Sequence, residues 1–155
     1  MKNVPLKILG SRARFALFIG VLLVLVAFWC FQPSYKESEY RNCVAANFVE
    51  VDAFDAGQNV VQYQIMNLSS DQIDYAGYVC LEMKTEQGWK EVLSKDGKRQ
   101  SEIPRTADGH FLPIDEPING EIELDTFRKI KDGTYRLVIP LLDEKYVAVS
   151  NEFER

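Results

Sequence analysis

Residues 132–141 read DGTYRLVIPL. A turn signal, Asp132-Gly133, opens a run in which Tyr135, Leu137 and Ile139 share one face. That period of two marks a strand with one face on a core. Gly133-x-Tyr135 also has the form of a tyrosine corner, in which the phenol ties back to nearby backbone; plain core packing is the simpler reading.

The same alternation recurs on both sides. Downstream, Tyr146–Phe153 closes the chain with Tyr146, Ala148 and Phe153 toward the core. Upstream lie Asn47–Phe54, then Val60–Met66 after an Asp55-Ala56-Gly57 turn. Tyr75–Met83 places Val79, Leu81 and Met83 on one face, and Trp89–Leu93 returns after Glu86-Gln87-Gly88. Residues 94–110 are polar and irregular, before Phe111–Ile114 and Ile118–Leu124 resume the pattern. About seven short strands spaced by turn signals predict an all-β, immunoglobulin-like antiparallel β-sandwich. Trp89, Leu81, Tyr135 and Leu137 are its expected core.

Before the strands the composition changes. Residues 15–31, FALFIGVLLVLVAFWCF, contain no charge. As a helix they span roughly 25 Å, close to the ~30 Å hydrocarbon thickness of a bilayer. The net charge is −5; the first fourteen residues contribute +4 through Lys2, Lys7, Arg12 and Arg14, so the rest carries −9. Cations gathered on one side orient such a helix with that side in the cytoplasm. Large residues at the end of the run (Phe28, Trp29, Phe31) argue against signal-peptide cleavage there. The expected organisation is a basic cytoplasmic tail over 1–14, a transmembrane signal anchor over 15–31, a polar stalk over 32–46 and an extracellular sandwich over 47–155. The partner of residues 15–31 is then the lipid bilayer. An acidic domain disfavours nucleic acid, whose phosphates need Lys and Arg.

Few residues suggest chemistry. His110 is the one histidine and lies in a polar stretch without partners at metal-ligand or dyad spacing, so no catalytic residue, metal or cofactor is expected. The acid pairs Asp115-Glu116 and Asp143-Glu144 alternate across faces if extended, and Glu121 with Glu123 reads as a solvated face. Asn67-Leu68-Ser69 fits a glycosylation sequon. Cys43 and Cys80 would face an oxidising compartment and could form a disulfide. The favoured expectation is two unrelated thiols, with Cys43 in a loose linker.

Several motifs together carry a resemblance: Val61-x-Tyr63-x-Ile65-x-Asn67-x-Ser69, Tyr75-x-Gly77-x-x-x-Leu81-Glu82, Gly88-Trp89-x-x-Val92, Asp132-Gly133-x-Tyr135-Arg136-Leu137-Val138 and Asn151-Glu152-Phe153. In this order and spacing, residues 48–154 resemble the bacterial immunoglobulin-like domains found as single exported modules of Gram-positive bacteria. The resemblance implies a sandwich and no activity. Three functions compete. The first is a non-enzymatic binding or structural module in the cell envelope, with an envelope protein or polymer as partner. The second is a sensor or regulatory accessory subunit of a membrane protein. The third is a hydrolase of envelope polymers, which needs two carboxyl groups converging in a cleft.

Overall fold

The structure is a computed structural model that describes residues 11–30, 33–104, 110–142 and 145–155, with helix side chains described over 15–27. Most of the basic tail, Phe31-Gln32 and the pair Asp143-Glu144 lie outside the described residues. The chain divides into two units, Met1–Pro33 and Ser34–Arg155. The first holds the helix α1, Ser11–Cys30. Its described side chains, Phe15 to Ala27, are apolar on every face. Among the described residues no helix is long and apolar enough to cross a membrane.

The second unit is built of strands. In order they are β1 (Tyr35–Glu37), β2 (Val44–Ala45), β3 (Val49–Gly57), β4 (Val60–Asn67), β5 (Ile73–Tyr75) and β6 (Cys80–Thr85). There follow β7 (Gly88–Val92), β8 (His110–Leu112), β9 (Ile118–Glu123), β10 (Thr134–Pro140), β11 (Tyr146–Val149) and β12 (Phe153–Glu154). One sheet runs β1-β7-β6-β10-β11-β2, and β12 continues the line of β11 along β10. The other runs β3-β4-β9, and β5 pairs with β8. All pairs are antiparallel except β2 with β11.

The core fills the space between the sheets. Val51, Ala53, Val61 and Ile65 from one side meet Leu81, Leu137, Ile139 and Ala148 from the other, all nearly solvent-free. Tyr135 is buried, and its hydroxyl donates to the Lys131 carbonyl at 2.6 Å, so the corner geometry is present beside the packing. The hairpin between β3 and β4 turns on Gln58 and Asn59, not on Asp55–Gly57. Both have positive φ (52° and 63°), the pairing a tight two-residue hairpin demands, and asparagine tolerates it. Between β5 and β6 the chain breaks at Gly77, φ 70°, where a Cβ would overlap the His110 ring. Asn67 is fully buried, donates to the carbonyls of Asp71 and Leu112, and accepts from Ser69. Its amide is a structural hub rather than a sugar acceptor.

The last strand is interrupted so that it can hold both sheets. Ser150 Oγ accepts from Leu137 N at 2.8 Å in place of a ladder bond. Asn151 then reaches the opposite sheet. Its Oδ1 accepts from Ala53 N at 2.7 Å and its Nδ2 donates to Ala53 O at 3.0 Å. That amide covers part of the outer edge of β3, which would otherwise invite strand pairing.

The stretch read as a polar stalk is part of the fold over 34–46. β1 pairs at one edge of the large sheet and β2 at the other, so Ser38–Cys43 must cross between them as a strap. Tyr40 and Cys43 pack there on Cys80, Val138 and Val147, the side chains that alternate with the inter-sheet core. Strands of three and two residues are too short to show a period, which is why composition alone suggested a linker. Trp89 is not in the inter-sheet core. It lies on the strap side, half-buried, with the Arg136 guanidinium 4.2 Å from its ring centroid and Lys84 Nζ at 5.6 Å. Both faces of this sheet are covered, so a large aromatic finds shelter on either side.

Candidate functional site

The two sandwich surfaces differ. Under the strap, Glu82 of β6 and Glu91 of β7 are cross-strand partners and are buried, at 0% and 1% exposure. Glu82 Oε2 accepts from Arg136 Nε and Nη2 at 2.8 and 2.7 Å. Glu91 accepts from Arg99 Nη1 at 2.8 Å and Gln100 N at 3.0 Å; burial raises its pKa above the ordinary range. Arg99 also meets Glu39 of the strap at 3.2 Å. The Tyr40 and Tyr78 hydroxyls lie 2.8 Å apart, and burial pushes the Tyr40 pKa up. Burial likewise raises the pKa of the Cys80 thiol. Cys43 and Cys80 share this apolar cluster, and no disulfide joins them. The converging carboxylates are thus ion-paired and sealed from solvent.

The outer face of β3-β4-β9 carries no strap. Register places Asp52, Gln64 and Asn119 in one row and Phe54, Gln62 and Glu121 in the next. Gln62 Nε2 donates to Glu121 Oε1 at 2.8 Å, and Gln64 Nε2 donates to Asn119 Oδ1 at 3.0 Å. These bonds hold the amides in fixed orientations while leaving acceptors and donors toward solvent. Phe54 stands beside them 55% exposed. A groove of about 540 Å³ runs along these residues.

Round the edge strand β9 lies a second cleft of about 420 Å³, which includes Tyr63, Tyr75, Val79, Ile122 and Phe127 in its walls. The groove and the cleft share Tyr63 and Glu121. The Tyr63 ring lies across Gly120 of β9, where a Cβ would overlap it. A glycine in mid-strand, between Ile118 and Ile122, was the one sequence signal of this close approach. Desolvation raises the pKa values of Tyr63 and Tyr75. Among the described residues neither hydroxyl has a hydrogen-bond partner. Among the described residues neither hollow is lined by Lys, Arg or His.

His110 is half-buried in β8 against Tyr75, 5.6 Å between ring centroids, rather than in an open loop. Among the described residues no three His, Cys, Asp or Glu side chains gather where they could hold a metal. Glu121 and Glu123 share the exposed face of β9.

The family model for the bacterial Ig-like domain matches residues 48–154. No curated protein and no solved structure matches the chain. Two sheets packed face to face, the tyrosine corner and the matched span agree. The chain belongs to the bacterial Ig-like domain family.

Proposed function

We propose that this protein is a membrane-tethered, extracytoplasmic module that binds a component of the cell envelope and carries out no chemistry. The observation that carries the reading is the asymmetry of the sandwich. One sheet is closed by the protein's own strap, and the other presents a groove with fixed amides and an exposed ring. The cross-strand carboxylates Glu82 and Glu91 are sealed and ion-paired, and the two acids of the open groove, Asp52 and Glu121, stand in different rows with β4 between them, which supports binding over hydrolysis.

The tether rests on the sequence of residues 15–31. A helix apolar on all faces needs an apolar surround, and a bilayer supplies one. The four cations before it favour a cytoplasmic N-terminus and put the sandwich outside. With a tag at each end, protease added to bacteria stripped of their wall should remove the C-terminal tag and spare the N-terminal one. Protection of the C-terminal tag would reverse the orientation. Loss of the protein to the medium would show that residues 15–31 do not anchor it.

A further inference from the structure

We propose that the groove on β3-β4-β9 takes a glycan chain without anionic groups, neutral or amine-bearing; this rests on the binding reading above. A pyranose ring has an apolar C–H face and a rim of hydroxyls that both donate and accept. Phe54, 55% exposed, offers the flat apolar surface that such a face stacks on. Beside it, Gln62 and Gln64 each spend one amide hydrogen on β9, at 2.8 and 3.0 Å. Their carbonyl oxygens, the Asn119 amide hydrogens and the Asp52 carboxylate remain for hydroxyls. The cross-strand bonds hold these groups before a ligand arrives, which lowers the ordering cost of binding.

The groove and the cleft share Tyr63 and Glu121, so a chain long enough to follow β9 reaches the Tyr63 and Tyr75 phenols of the cleft. Charge selects among polymers. Asp52 and Glu121 line the groove, Glu121 and Glu123 line the cleft, and among the described residues no cation lines either, so phosphate- or carboxylate-bearing chains are repelled and an ammonium is favoured. A basic peptide shares that charge match. It would gain little from a shallow row of amides, because peptide anchors need deep pockets.

The test is calorimetric titration of the full chain in detergent micelles with four probes: hexamers of N-acetylglucosamine, glucosamine and galacturonate, and hexalysine. The expected result is binding of the first two, none of galacturonate, and weakening by about tenfold in Phe54→Ala, the effect of losing about 1.4 kcal/mol. Asn119→Ala should weaken it too, and Arg41→Ala, on the strap, should not. Phe54 and Asn119 are exposed, so these variants leave the fold intact. Equal binding of galacturonate, or glycan binding indifferent to Phe54→Ala, overturns the proposal. Hexalysine binding alone overturns the glycan and leaves the binding reading standing. No binding by any probe overturns the glycan, and crosslinking in cells then decides the binding reading separately.

Discussion

Replacing Arg136 by leucine should cost the β unit about 3–5 kcal/mol, a large share of the roughly 5–15 kcal/mol that holds a domain folded. Glu82 has no solvent contact, and both bonds to its Oε2 come from this one guanidinium. Its Oε1 has no hydrogen-bond partner. Without Arg136 the carboxylate is left in a dry site with no counter-ion, which is poorer than the pair. Trp89 also loses the cation that covers its ring at 4.2 Å. The check is the urea midpoint of residues 34–155. The double variant Glu82→Leu, Arg136→Leu should recover most of the loss, because an apolar pair of similar volume replaces a buried ion pair at little net cost. A single variant as stable as the parent would show that the pair is not buried as described.

The second large effect concerns the strap. A chain beginning at Asn47, the boundary the composition suggests, should be much less stable than one beginning at Ser34. The shorter chain lacks β1 and β2, which pair at opposite edges of the large sheet. It uncovers Val138 and Val147, now 1% and 3% exposed, at about 1.5–3 kcal/mol each. It also removes Glu39 from Arg99, the link between the strap and the buried Glu91. A lower midpoint with a loss of cooperativity is expected. Equal midpoints for the two chains would return residues 34–46 to the status of a linker.

The alternation of Tyr135, Leu137 and Ile139 was enough to place β10 in the centre of a sandwich, and Leu81 followed from the same rule. Periodicity works where one face is buried and the other wet. It misleads where both faces are covered, as in β6, where Cys80, Leu81 and Glu82 are all solvent-free. Size and apolarity predict a core position for Trp89, and they do not distinguish the two covered sides. The strap was invisible because QPSYKESEYRNC is polar, and its hold depends on Tyr40 and Cys43 meeting strands about forty to one hundred residues away. The groove was illegible for a different reason. Asp52, Gln62, Gln64 and Asn119 are ordinary surface residues, and only the register that lines them up makes a site. Gly120 alone carried a hint.

On the reading proposed above, the open sheet, and not the strapped one, is the working face. A photo-crosslinking side chain at Gln64 and, separately, at Arg41 reads this out in living cells. Gln64 lies in the groove and Arg41 is exposed on the strap, paired with Glu37 at 2.8 Å. Adducts to envelope material are expected from position 64 and none from position 41. Adducts from position 41 alone, or from neither, would contradict this reading.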